Sequence, residues 1–373
     1  MSIETASLGI MSLDAFKNRT KSSANVCGFA SHFKSRGSSV KGIDAALGAW
    51  EQLVRAGGAK DAAFYERRLV ALQLLKSSCT RYLGLKDERA TPLSEYRKGV
   101  VRDLLRSVEK AESYLGHRAK GNPWRPTKSL DGVYGQERAH YLAQGKREHP
   151  MSASAMHESE RAGFDRLGLA DFQRAAAAGG ERVQFLDRVE RLEHLVVVRN
   201  GLLYQDGVPY SCETGVNKTF GKREVEAVTY AADAYGNIFS KKAYVAGGEL
   251  RFNHSTYLAG KQVMCAGTLV CLDGVLLKIT NASGHYKPGR QNLRTLLVLL
   301  GQEGVDLDEV VVEGTGLVAG DGLCGARTLV ASGGARAPAD WRWQVPAPVG
   351  RQKVDFSTRI EHRGVEYFVV EPG

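Results

Sequence analysis

Residues 250–288 read LRFNHSTYLAGKQVMCAGTLVCLDGVLLKITNASGHYKP. Two apolar runs, Val263 to Leu272 and Val275 to Thr280, flank Asp273-Gly274. Asp-Gly tolerates positive φ at both central turn positions, so the spacing predicts a tight β-hairpin. Two polar clusters bracket that hairpin: Asn253-His254-Ser255-Thr256-Tyr257 before it and Ser283-Gly284-His285-Tyr286-Lys287 after it. Read for chemistry, hydroxyls and a lysine suit phosphate, and tyrosine rings suit stacking on a flat ligand. Read for structure, His254 and His285 hydrogen-bond within a core and the tyrosines pack.

Outward from the hairpin, Pro288 precedes a helical pattern in which Leu293, Leu296, Leu297 and Leu300 recur at i, i+3, i+4 and i+7, with Gly301 and Gly304 as its stop. Val310-Val311-Val312 reads as a buried strand, and a hairpin turned at Arg363-Gly364 closes the chain. Upstream, the period is two from His194 onward. Leu195 to Val198 and Leu202 to Tyr204 read as strands, and Val225 to Phe239 as a hairpin through Ala234-Tyr235-Gly236-Asn237. Two helices are expected around residues 156–177 and 181–193. Earlier still, the period is helical. Ile43, Ala46, Leu47, Trp50 and Leu53 make one apolar stripe, and Leu69, Leu72, Leu74 and Leu75 a second, beyond Gly57-Gly58. Val100, Leu104, Leu105 and Val108 space a third.

The fold class expected is therefore α+β. Residues 1–40 are Ser-, Lys- and Gly-rich without sustained period and are expected to be a disordered segment. Residues 41–150 form a basic helical domain with its linker, and residues 151–373 a β-rich domain.

The chain has 373 residues and 43% hydrophobic content, enough for a sizeable core. The net charge is +10, and its placement is uneven. Residues 1–150 carry 26 Lys+Arg against 15 Asp+Glu, and the remainder is nearly balanced. A basic first half suits an acidic protein, a membrane surface or nucleic acid. Nucleic acid is disfavoured because aromatic residues are not interleaved with the basic ones. No run is long and apolar enough to span a membrane, and the first 13 residues lack a secretory signal pattern. Cys27, Cys79, Cys212, Cys265, Cys271 and Cys324 form no CxxC pair, so no metal site is expected. Gly314-Thr-Gly316-Leu-Val-Ala319 follows a strand, but no helix opens after it to receive a pyrophosphate.

The joined strings HSTYLAG and SGHYKP, with the helix and Gly304-Val-Asp-Leu307 after them, resemble a known module. They are similar to the catalytic domain of bacterial effectors that ADP-ribosylate a threonine of ubiquitin, with homologues in fungi. A related string occurs in plant IQ-motif, calmodulin-binding proteins. The resemblance spans residues 250–313, and more weakly 194–249.

It implies an ADP-ribosyltransferase-like two-sheet domain that binds NAD in a cleft. The catalytic positions would be Arg199, Ser255, Thr256 and Tyr257. Arg199 would hold phosphate or ribose, Ser255 and Thr256 would shape a strand edge at the nicotinamide, and Tyr257 would stack on it. His254, His285, Tyr286 and Lys287 would complete the NAD contacts. The same resemblance implies an effector delivered to a host cytoplasm through a needle-type (type III) secretion apparatus, with ubiquitin as substrate and a secretion chaperone on the helical domain. One position departs from the pattern. After Ala266-Gly267 the family carries Glu, and this chain has Thr268, which cannot supply a fixed negative charge to a developing cation. A rival Ser-Thr pair, Ser357-Thr358, precedes Glu361 and Glu366. The departure favours a second expectation: a non-catalytic NAD- or protein-binding module, binding calmodulin or ubiquitin, with the basic helix 94–115 as a target for an acidic partner.

Overall fold

A computed structural model describes residues 8–21, 38–84, 92–121, 148–149, 183–184, 186, 188–216, 223–241, 253–284, 286–314, 317, 323–333, 335–337 and 358–370. The chain divides into two compact units, Met1–Asn122 and Pro123–Gly373.

The first unit is helical: α1 (Leu13–Lys21), α2 (Ser38–Ala56), α3 (Ala62–Gly84) and α4 (Pro92–Ala119). On α2, Val40, Ile43, Leu47, Trp50 and Val54 follow the i, i+3, i+7 rhythm and are all buried. On α4, Val100, Val101, Leu104, Val108, Ala111, Tyr114 and Leu115 are buried, and the helix packs against α3 and α1. The apolar face of the segment expected to serve as a target helix is thus consumed by the unit's own core. α1 lies inside the stretch expected to be disordered. It is ordered by Phe16, which is fully buried, and by the Arg97 guanidinium, which donates to the Thr20 carbonyl at 2.8 Å. On α3 the buried residues are Tyr65, Arg68, Ala71, Leu72, Leu75 and Cys79. Leu74, expected in the core stripe, points outward, because Leu72 and Leu75 already occupy the inward face. Arg68 is buried with purpose: its guanidinium donates to the Leu53 carbonyl at 2.5 Å, near the end of α2, and stacks 3.6 Å from the Phe64 ring centre.

The second unit opens with β1 (Glu148–His149), β2 (Val183–Gln184) and α5 (Arg188–Glu193). The helix expected over 181–193 is thus a short strand and a shorter helix, and that expected over 156–177 lies outside the described residues. Then come β3 (Leu195–Arg199), β4 (Leu202–Gln205), β5 (Val208–Pro209), β6 (Glu213–Val216), β7 (Arg223–Glu226), β8 (Val228–Ala232) and β9 (Ile238–Ser240). α6 (His254–Leu258) precedes the hairpin of β10 (Cys265–Leu272) and β11 (Val275–Thr280). The rest is α7 (Arg290–Gln302), β12 (Val311–Glu313), β13 (Cys324–Gly325), α8 (Ala326–Ala331), β14 (Thr358–His362) and β15 (Val365–Val370).

Among the described residues, one sheet runs β13-β12-β11-β10-β8-β9-β3-β4-β5 and another β14-β15-β7-β6. The hairpin turns at Asp273 and Gly274 with φ of +49° and +85°, as Asp-Gly permits. β10 is buried at every position because both of its faces are covered. On one face, Leu269 and Ile279 meet Leu293, Leu296, Leu297 and Leu300 of α7. On the other, Val270, Leu272 and Leu277 meet Val225, Ile360, Tyr367 and Val369 of the smaller sheet. α7 serves as the crossover that lets β12 pair parallel to β11. The α+β expectation, helical first and β-rich second, therefore describes this chain. The finer expectation of an ADP-ribosyltransferase fold finds no specific counterpart in this topology.

Candidate functional site

The first polar cluster folds as a helix, α6, rather than as the edge of a strand. Its start is built locally. The Asn253 N–H donates to Thr256 Oγ1 at 3.1 Å, and the Thr256 N–H returns a bond to the Asn253 carbonyl at 2.9 Å. Its end is an αL residue, Ala259 at φ +50°, followed by Gly260. One short helix with both ends satisfied this way needs no ligand to hold its shape.

α6 packs on β8. Tyr257 is fully buried, with its hydroxyl 3.0 Å from Thr229 Oγ1 and 3.1 Å from the Thr229 carbonyl. Burial pushes its phenol well above the usual range. A ring with no exposed face offers no stacking surface to a nicotinamide. His254 Nε2 lies 3.0 Å from the Gly267 carbonyl, an acceptor, so that nitrogen carries a hydrogen and ties α6 to β10. Ser255 and Thr256 are buried, and Ser255 Oγ has no hydrogen-bond partner among the described residues.

The Tyr286 hydroxyl donates to the Lys261 carbonyl at 2.8 Å, so the two clusters are joined through the chain that follows α6. Lys287 is exposed at φ +44°. His285 lies outside the described residues, as does Ser357 of the rival pair, while Thr358 begins β14. Arg199 ends β3, half-buried, with its guanidinium carbon 5.3 Å from the Tyr204 ring centre.

Thr268, the position where the resemblance required Glu, faces a neighbouring strand. Its N–H donates to Thr280 Oγ1 at 2.8 Å, and the two hydroxyls lie 3.1 Å apart. Sequence reasoning missed a buried lysine on the adjacent strand. Lys278 is fully buried and its Nζ lies 2.5 Å from Glu313 Oε2, across the β11–β12 pair. The signal was a lysine within an apolar strand, VLLKIT, four residues after the Asp-Gly turn. A register shift between Val270 and Cys271 sets Lys278 opposite Val270.

Burial pushes the thiols of Cys79, Cys212 and Cys265 up to about 12. Among the described residues no group of His, Cys, Asp and Glu could hold a metal ion.

With this geometry in place, comparison with known proteins decides the likeness. Residues 222–293 match the IQ motif-containing protein middle domain. That segment runs through β7 to the start of α7 and takes in both polar clusters and the hairpin. Relatives in Arabidopsis thaliana include IQ domain-containing protein IQM1, 30% identical over 129 residues, which is 34% of this chain and 24% of that protein. IQ domain-containing protein IQM3 is 44% identical over 62 residues, 17% of this chain and 14% of that protein. IQ domain-containing protein IQM5 is 29% identical over 129 residues, 34% and 23% respectively. The chain thus spans under a quarter of the length of these relatives. No solved structure matches.

The IQ-motif likeness corrects the first assignment. These relatives are plant proteins named for an IQ domain, and none carries a transferase name. That finding overturns the bacterial effector family, the ADP-ribosyltransferase activity and delivery into a host cytoplasm. Ubiquitin as substrate rested on the same resemblance and gains no support.

The structural role given to Tyr257 has a direct consequence. Tyr257→Phe removes the hydroxyl and its bonds to Thr229, so unit 2 loses about 1 kcal/mol of stability. Urea unfolding followed by fluorescence measures it, and an unchanged midpoint would show that the hydroxyl is not engaged.

Proposed function

We propose that this chain is a non-catalytic protein-binding module whose partner is of the calmodulin class: acidic, with apolar grooves. The observation that carries the reading is the match of residues 222–293 to the middle domain of IQ motif-containing proteins. Two further features support it. The hydroxyls of Thr256 and Tyr257 are engaged in capping and packing rather than presented to a ligand. Residues 1–150 hold 26 basic against 15 acidic side chains, so an acidic partner is drawn to that part of the chain. No helix among the described residues is long and apolar enough to cross a membrane.

The test is isothermal titration of the full chain with calmodulin, once with calcium and once with a chelator. The expected result is saturable binding in at least one calcium state, weakening as salt is raised from about 0.05 to 0.2 M because exposed charges are screened. Absence of binding in both states sinks the reading. NAD, expected at the 253–287 cluster, is titrated separately. Saturable NAD binding would add a small ligand to the protein partner.

A further inference from the structure

We infer that the outward face of α3 is the docking surface for that acidic, apolar-grooved partner; this rests on the binding-module reading above. The two most exposed large apolar side chains described in the first unit are Leu74, at 59%, and Val70, at 50%. They stand four residues apart on α3 and so lie one above the other on the same face. Arg67, three residues before Val70, and Arg81, seven after Leu74, extend that stripe at both ends. Both arginines are exposed, as are Gln73 and Ser77 between them. The stripe from Arg67 to Arg81 is roughly 20 Å long at 1.5 Å per residue.

Several other cations of the unit stand in ion pairs. Lys76 is paired with Glu112, Arg19 and Arg106 with Asp103, and Arg55 with Glu51. Among the described residues, Arg67 and Arg81 make no ion pair. α3 holds a single carboxylate, Glu66, against four cations: Arg67, Arg68, Lys76 and Arg81. An apolar pair bracketed by unpaired guanidinium groups is complementary to an apolar groove rimmed with carboxylates. It is not complementary to a second copy of itself, which would bring arginine against arginine. The alternative helix, α4, has its apolar face packed inside the unit.

The experiment uses the full chain and calmodulin as the probe, in the calcium state that binds the unaltered protein. Val70→Asp/Leu74→Asp is compared with Arg67→Glu/Arg81→Glu and with Val208→Asp, an equally exposed apolar residue of the second unit, at 61%. Circular dichroism checks that each variant keeps its helix content, and Val70→Ala/Leu74→Ala serves where the aspartates disturb it. The expected result is at least a tenfold loss for both α3 variants and less than a twofold change for Val208→Asp. Equal affinity across all variants overturns the α3 surface and leaves the binding-module reading standing. No binding by the unaltered chain overturns both. Loss of self-association in the α3 variants, with calmodulin affinity unchanged, overturns the acidic partner in favour of a second copy.

Discussion

Glu313→Ala is expected to destabilise the β-rich unit by about 3 kcal/mol, because it leaves the Lys278 ammonium buried without its carboxylate. Lys278 is fully enclosed while Glu313 is about one-third exposed, so the lysine cannot turn to water when its partner is lost. The strands hold it there: Lys278 pairs with Val270 on one side and Val311 on the other. Replacing both members with apolar residues of similar size, Lys278→Met with Glu313→Leu, is expected to recover most of the loss, since the desolvation cost of two charges disappears with them. Chemical unfolding of the three proteins decides it. If Glu313→Ala matches the unaltered protein, the pair contributes nothing. If the double variant is as unstable as the single one, packing rather than charge holds this edge of the sheet.

The second large effect is at Gly267, in the middle of β10. A Cβ at this position would overlap the Thr280 carbonyl and its Oγ1, atoms of the adjacent β11 rather than the tip of a flexible side chain. The same Thr280 accepts the Thr268 N–H, and its carbonyl accepts the Tyr230 hydroxyl at 2.8 Å. The Gly267 carbonyl, in turn, receives His254. Gly267→Ala must therefore separate β10 from β11 and disturb three hydrogen bonds together. The expected cost is about 3 kcal/mol, at the upper end of overpacking in a core. Thermal unfolding of the full chain and amide exchange along β10 and β11 measure it. Protection of the β11 amides equal to that in the unaltered protein would show that the strands absorb a methyl group. Gly267 of β10 thus has a packing reason, independent of any chemistry at the residue after it.

Much of the second unit was legible along the chain because its determinants are local. Asp273-Gly274 places a tight turn whatever surrounds it, and the leucine spacing from Leu293 to Leu300 forms a helix with one buried stripe. The charge division between the halves needs no structure either. The chemistry of the polar clusters was harder to read, because residue type does not say which atoms are already spent. HSTYL contains the groups of a ligand site, yet Thr256 caps a helix, Tyr257 bonds Thr229 and His254 bonds Gly267. Those partners lie from three to 28 residues away, and only the first lies within reach of a local pattern.

The sequence by itself determined the period of each segment, the hairpin, the long α7 helix and the basic character of the first half. These depend on neighbours within a few residues and on summed charge. Only the tertiary structure decided that β7 pairs in parallel with β15 and that Lys278 is buried against Glu313. It also decided that Leu74 faces out while Leu72 and Leu75 face in. Each of those outcomes rests on which surface another element happens to cover. Such contacts join residues far apart in the chain, and their free energy appears only once the packing has brought them together.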